Sequence, residues 1–322
     1  MKHFKKILII AFLGLLLCSF FSCSGRAKKH SQLKNWMQES KELRILCTTA
    51  QIGDIVQLIG GERVKTWVLI QGDLDPHSYE LVKGDDEKIF FADSIFYNGL
   101  NLEHGASLSA LLHSSPKSVG LGDLIAMQYP EKILKRGDIV DPHIWMDVSI
   151  WTLTIDPILE KIIALDPEGA SYYKERANNL KDQMLKTHSS IKEKLREVPS
   201  SKRYLMTSHD AFRYFTRSYL AESGESDWHK RFAAPEGLAP DGQLSPVDIQ
   251  RMIDFLRNNQ ISVLFPESNV SLDSIKKIAN AGSELGIEIR VCNETLYGDS
   301  MSGLTYFEMM EKNAEIVARY LK

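Results

Sequence analysis

The chain has 322 residues, of which 43% are hydrophobic and 25% charged, with 20 Gly and 11 Pro. At roughly 150 residues per domain this length suggests two packed units, and the composition excludes collagen-like and wholly disordered classes. A net charge of −3, from 39 Lys and Arg against 42 Asp and Glu, leaves no basic footprint for nucleic acid.

The amino terminus reads as an address. Lys2, Lys5 and Lys6 precede an almost unbroken apolar run from Ile7 to Phe21. An apolar run of about 15 residues behind a basic start has the length of a secretory signal, whereas a membrane-spanning helix needs about 20. Residues 1–22 are therefore expected to be an export signal and the remainder to be periplasmic. Removing them takes away three lysines and no acid, so the exported part carries a net charge of about −6. Ser22-Cys23 followed by the polar stretch Ser24 to Lys29 resembles a bacterial lipoprotein signal, with Phe20 where such signals usually carry Leu. That resemblance implies acylation of Cys23 and a lipid anchor in the membrane. The polar residues 23–41 then read as a tether. Cys47 and Cys292 lie in apolar, strand-like runs and are expected to be buried thiols, since two cysteines cannot staple a scaffold of this size.

Residues 42–165 alternate strand and helix patterns. Arg44 to Thr49 reads as a strand, Ile52 to Ile59 as a helix stopped by Gly60-Gly61, and Val64 to Ile70 as the next strand. A polar helix from about Tyr79, a strand at Ser94 to Tyr97, a helix from Leu102 to Leu112 and a short strand at Val119 to Leu121 complete the series. Residues 200–322 repeat the alternation, with strands at Tyr204 to Thr207, Ser262 to Phe265 and Ile287 to Val291. Helices are expected after His209, at Val247 to Arg257, at Ser271 to Leu285 and at Tyr306 to Leu321. This predicts an α/β fold of two lobes, each a mainly parallel sheet flanked by helices. Between them, within residues 166–199, the stretch from Pro167 to Val198 has no internal Pro, and no Gly except Gly169, and it carries Leu180, Met184, Leu185, Ile191 and Leu195 at helical spacing. About 30 residues at 1.5 Å each make one backbone helix on the order of 45 Å long, enough to lie across both lobes.

Two tripeptides, Asp75-Pro76-His77 and Asp141-Pro142-His143, stand 66 residues apart in the first lobe. Asp is a good N-cap and Pro is favoured at the first helical position, so each His is expected in the first turn of a helix. His209 follows a strand in the second lobe, and Asp299 sits on the loop after that lobe's last strand. Open α/β sheets bind ligands at such carboxyl ends. Three imidazoles and a carboxylate make a nitrogen and oxygen shell suited to a first-row divalent metal, with no thiolate to favour Cu(I). Glu267, also after a strand, is a further candidate as ligand or partner. Asp141, Asp147 and Asp210 are expected as caps or as hydrogen-bond partners that orient imidazoles. His104 and His113 read as surface or partly buried, His188 and His229 as solvated, and His30 as part of the tether. The residues alone leave three functions open: a metal receptor, an exported metal-dependent hydrolase with Glu267 as general base, or an adhesin, which nothing in the composition supports or excludes. Catalytic zinc keeps an open water position, and neither His-Glu-x-x-His nor His-x-His occurs in the chain.

Several segments carry a family likeness. Asp75-Pro76-His77-Ser78-Tyr79-Glu80, Tyr97-Asn98-Gly99-Leu100-Asn101-Leu102-Glu103, Asp141-Pro142-His143-Ile144-Trp145-Met146-Asp147, Ser208-His209-Asp210-Ala211-Phe212 and Leu296-Tyr297-Gly298-Asp299 occur in that order. Together they resemble the cluster A-I metal-binding proteins, the solute receptors of bacterial ABC importers for manganese, zinc and iron. With Pro235-Glu236-Gly237-Leu238, the pattern is most like the chlamydial branch. The resemblance implies a monomeric receptor, not an enzyme, that holds one divalent ion in a cleft between lobes and passes it to an ABC permease and its ATPase. It implies His77, His143, His209 and Asp299 as the metal ligands. Zinc-dedicated relatives often carry a His- and Asp-rich loop between the first two ligand histidines. Here Met127 to Val140 contains no His, which together with the carboxylate ligand favours Mn²⁺ or Fe²⁺ and leaves Zn²⁺ open.

Overall fold

The computed structural model describes residues 31–240 and 244–322; the expected signal, Cys23 and His30 lie outside the described residues. The first half is built from β1 (Leu43–Cys47), α1 (Ala50–Gly60), β2 (Val64–Val68), α2 (Asp85–Phe91), β3 (Ser94–Tyr97), α3 (Ala106–Ser114), β4 (Ser118–Gly120) and α4 (Leu121–Gln128). Its four strands are all parallel, in the order β2-β1-β3-β4. Ile45, Leu46 and Cys47 are consecutive and all buried, as a strand covered on both faces by helices requires. A small antiparallel hairpin of β5 (Lys135–Arg136) and β6 (Ile139–Val140) then leads into α5 (Val148–Trp151), α6 (Ile155–Leu165) and the long α7 (Ala170–Arg196).

The second half contains β7 (Leu205–Met206), α8 (Arg213–Phe215) continuing as a π-helical turn over Thr216–Leu220, β8 (Phe232–Ala233), α9 (Pro246–Asn258), β9 (Val263–Leu264), α10 (Asp273–Glu284), β10 (Arg290–Val291) and α11 (Tyr306–Leu321). β7 pairs in parallel with β8, and β9 with β10. A single parallel bridge, Thr207 to Phe265, joins the two pairs into the order β8-β7-β9-β10, which repeats that of the first sheet. In both sheets the chain reverses its direction of travel beside the first strand. Such a reversal opens a crevice at the strands' carboxyl ends, where ligands bind in open α/β sheets.

α7 ties the halves together. Its buried residues are Tyr173, Ala177, Leu180, Met184, Thr187, Ile191 and Leu195, spaced three or four apart in one stripe. The helix packs on α1 and α6 from the first half and on α11 and the π-helical turn from the second. Leu185, expected in that stripe, is instead 50% exposed, because it falls one position past Met184 and faces away. His188, expected to be solvated, is half-buried with Nδ1 3.0 Å from the Tyr219 hydroxyl. Among the described residues no helix is long and apolar enough to cross a membrane.

Two expected helices and the three expected strands of the second sheet differ in their bounds. The helix expected from Tyr79 begins only at Asp85, because Glu80 is drawn to the amino end of α3, where it accepts from the amides of Ala106 (2.6 Å) and Ser107 (2.8 Å). The helix expected from Leu102 begins at Ala106, because Leu100 and Asn101 adopt left-handed conformations with φ of 53° and 61°. The strands of the second sheet are two residues long rather than four or five.

Part of the segment read as tether is docked. Residues 31–37 are helical, and Trp36 is buried against Trp67, with its indole N–H donating to the Lys65 carbonyl at 2.8 Å. Trp36→Ala is expected to lower stability by about 3 kcal/mol, read as a shifted midpoint in urea unfolding. An unchanged midpoint would show that this docking contributes nothing.

Candidate metal centre

The two Asp-Pro-His segments are tight turns. Asp75 Oδ1 accepts from the amide of His77 at 2.9 Å, and Oδ2 from the Ser78 hydroxyl at 2.6 Å. Asp141 Oδ1 accepts from the amide of His143 at 3.1 Å. In each case the Asp satisfies the amide two residues on, an Asx turn, rather than capping an α-helix. Neither His therefore occupies the first turn of a helix: His77 lies in a bend, and His143 precedes a short 3₁₀ turn at Ile144–Met146. His209 leaves the end of β7, and Asp299 lies on the loop after β10.

These four side chains meet. One ligand atom from each of His77, His143, His209 and Asp299 lies within 4.8 Å of the others, and all four residues are buried. Asp299 is the hub. Its Oδ2 is 3.1 Å from His209 Nε2 and 3.6 Å from His77 Nε2, and its Oδ1 is 3.4 Å from His143 Nε2. The three Nε2 atoms and Asp299 Oδ1 lack a hydrogen bond of good geometry. Buried polar atoms are rarely left so, and four of them pointing at one place fit a cation.

The outer face of each ring is anchored. His143 Nδ1 donates to Asp141 Oδ1 at 2.8 Å. His209 Nδ1 lies 2.8 Å from Glu267 Oε2, while Glu267 Oε1 accepts the His209 amide at 2.8 Å. Asn269 donates to Asp299 Oδ2 at 3.2 Å, and Gln51 on α1 donates to the Asp299 carbonyl at 2.9 Å, linking the halves. Buried Glu103 accepts from the Thr48 hydroxyl (2.6 Å) and the amides of Asn98 (2.8 Å) and Gly99 (3.1 Å), tying the ends of β1 and β3 together. Asn98 in turn donates to the Pro142 carbonyl at 3.0 Å, beside His143.

Burial and charge pull against each other here. Burial pushes His77 down to about 3, only partly opposed by Asp299. Burial also works against protonated His143 and His209, yet the hydrogen bond to Asp141 and the adjacent Asp299 charge hold His143 up at about 9. Attraction by Glu267 and Asp299 keeps His209 well above the ordinary imidazole value. Burial would raise Asp299, but His209 and His143 hold it well below the usual carboxylate range. The pocket is thus an anionic point ringed by basic nitrogens, in which a metal ion can replace the protons.

Residues 45–320 match the family model described as "ZnuA: Zinc-uptake complex component A periplasmic". The chain belongs to the ZnuA family. It is 38% identical over 280 residues to the metal-binding protein YtgA of Chlamydia pneumoniae, covering 86% of this chain and 85% of the relative. The solved structure of Fe(III)-bound YtgA from Chlamydia trachomatis superposes with a TM-score of 0.83 at 34% identity, covering 87% of this chain and 98% of that one. The manganese-binding lipoprotein MntA of Bacillus subtilis is 28% identical over 291 residues, 88% of this chain and 90% of the relative. This ZnuA-family chain is therefore a metal-binding solute receptor of an ABC importer and not an enzyme, which sets aside the hydrolase reading.

The structure brings together all four residues expected as ligands. Glu267 reaches His209 rather than the shared point, and Asp141 orients His143 as expected. Asp147 caps α5 through the Ser149 amide, and Asp210 pairs with Arg136 at 3.2 Å instead of orienting an imidazole. His113 and His229 are exposed, and His104 is exposed but close to His77, with ring centroids 5.6 Å apart. Sequence reasoning gave no role to Glu103, Asn98 or Gly298, although all three stand inside the motifs that carry the family likeness.

Gly298 has a steric reason to be glycine. A Cβ there would lie 2.3 Å from Glu267 Oε2 and 3.3 Å from His209 Cε1. Gly298→Ala is expected to push Glu267 away from His209 and to cost about 1–3 kcal/mol, measured as a lower melting temperature of the metal-free protein. An unaltered melting temperature would mean that this contact is not tight.

Proposed function

We propose that the chain captures a single divalent transition-metal ion between His77, His143, His209 and Asp299 and delivers it to a membrane ABC permease driven by its ATPase. One observation carries this reading: three buried imidazole nitrogens and one carboxylate oxygen, none satisfied within the protein, converge on one point. Mn²⁺ or Fe²⁺ is the favoured cargo, with Zn²⁺ also compatible. The carboxylate donor supports this choice, as does the absence of His from Met127 to Val140. Among the relatives reported above, MntA is named for manganese and the YtgA structure is described as Fe(III)-bound, while the family description is for zinc uptake.

The same reading assigns residues 1–22 to an export signal, Cys23 to a lipid anchor and residues 23–41 to the link between anchor and fold, with its helical part 31–37 docked on the first half through Trp36. Residues 42–165 and 200–322 are then the two lobes, joined by the backbone helix within 166–199, and the receptor works as a periplasmic monomer. The lipoprotein character of MntA supports the anchor.

Metal-stripped protein should bind one equivalent of Mn²⁺ in a calorimetric titration, and His143→Ala should weaken binding by more than about 100-fold. Undiminished affinity in that variant would remove His143 from the shell. Binding must also be linked to protons. His77, pushed down to about 3, is already neutral near neutral pH, whereas His143 and His209, held up by their carboxylates, must each lose a proton to bind metal. Affinity should therefore rise with pH toward about 9 and collapse in acid. Titration in buffers of differing ionisation enthalpy should show net proton release at neutral pH, and proton uptake would contradict the assignment.

A further inference from the structure

His104 is the imidazole near the site that the four-ligand reading does not use. It is exposed, yet its ring centroid lies 5.6 Å from that of buried His77. The three site imidazoles are separated from one another by 5.3, 5.4 and 6.3 Å, so His104 stands about as near to His77 as His143 does.

Its position is fixed by its surroundings. The adjoining Glu103 carboxylate is locked by its three buried hydrogen bonds, and the His104 amide donates to the Leu102 carbonyl at 3.0 Å. The preceding Leu100 and Asn101 are both left-handed, a conformation that non-glycine residues hold only when the neighbourhood enforces it. His104 Nδ1 lies 3.2 Å from the Asn101 carbonyl. A carbonyl can only accept, so the neutral ring in this contact carries its proton on Nδ1 and its lone pair on Nε2. Ligand histidines have this arrangement, the other ring nitrogen donating to a carbonyl or carboxylate. His113 makes a similar contact with the Ser109 carbonyl at 2.8 Å, but its neighbouring ring is Tyr97, so the contact alone does not single out His104. Proximity to the buried shell does.

We propose that His104 is an entry ligand: the exposed imidazole takes a divalent cation from water through Nε2 and passes it to His77. This rests on the receptor reading and adds a residue that governs rate. The four final ligands are at most 5% exposed, so a hydrated ion must exchange its waters for protein atoms in steps. An imidazole at the surface, one ring away from His77, replaces a water before the ion is fully desolvated. Because His104 stands outside the final shell, its loss slows entry and exit alike and leaves the equilibrium constant unchanged.

The test is stopped-flow mixing of the metal-stripped full chain with Mn²⁺, followed by intrinsic tryptophan fluorescence, to which Trp145 contributes with its ring 5.2 Å from His143. His104→Ala is expected to lower both the on-rate and the off-rate about tenfold, with Kd within about twofold of the parent. His104→Asp, which keeps a metal donor, should recover most of the on-rate, and His113→Ala should be unaffected. An on-rate unchanged in His104→Ala would overturn the proposal, as would weaker affinity at an unchanged on-rate, which would place His104 in the final shell. Failure of the parent protein to bind Mn²⁺ at equilibrium would instead bring down the receptor reading, and this proposal with it.

Discussion

One buried carboxylate holds the site together. Asp299 lies between three imidazoles contributed from both halves of the chain, and among the described residues its charge is the only anionic one in direct reach of all three Nε2 atoms. A buried carboxylate left alone would be costly, and so would three unpaired imidazoles. Together they offset each other partially, at 3.1 to 3.6 Å, without forming well-aligned hydrogen bonds. The residual mismatch is chemically useful. A doubly charged ion at the shared point, displacing the protons of His143 and His209, satisfies all four converging atoms at once, which a set of fully hydrogen-bonded side chains could not allow.

The fold delivers these atoms through repetition. Each half places its ligands beyond the carboxyl ends of a parallel sheet with the same strand order, and each ties its central pair of strands with a buried Glu. Glu103 links the ends of β1 and β3, and Glu267, which follows β9, reaches His209 after β7. Contacts across the halves then set their approach: Gln51 holds the Asp299 carbonyl, the Trp145 indole donates to the Gly298 carbonyl, and the Tyr306 hydroxyl donates to the Trp145 carbonyl. Trp145 therefore supports His143 from one side and the Asp299 loop from the other. α7 packs on helices of both halves and ties them together.

Much of this was legible in the residues. Helices with strong signals, such as Tyr306–Leu321 behind its Thr305 and Glu308 capping box, coincide with the sequence pattern. So does β3, where a short apolar run is bounded by Asp93 and Asn98. All four candidate ligands were visible because histidines after strands and repeated Asp-Pro-His turns are chemically specific. What was not legible depends on partners distant in sequence. Nothing local announces that Glu80 will cap a helix beginning at Ala106, and so delay α2 to Asp85, or that Asp141 will fold back on His143 instead of starting a helix. Nor does composition show that Gly298 must leave room for Glu267, or that Trp36 will dock on Trp67. His188 looked solvated among lysines because its companions, Tyr219 and Asp147, lie on other elements.

The central claim is that three imidazoles and one carboxylate surround a single ion, and X-ray absorption of the zinc-loaded protein tests it most directly. The account predicts nitrogen and oxygen scatterers at about 2.0–2.2 Å, with the outer-shell scattering pattern of three imidazole rings. A sulfur shell near 2.3 Å, or a shell of water oxygens without imidazole scattering, would contradict it.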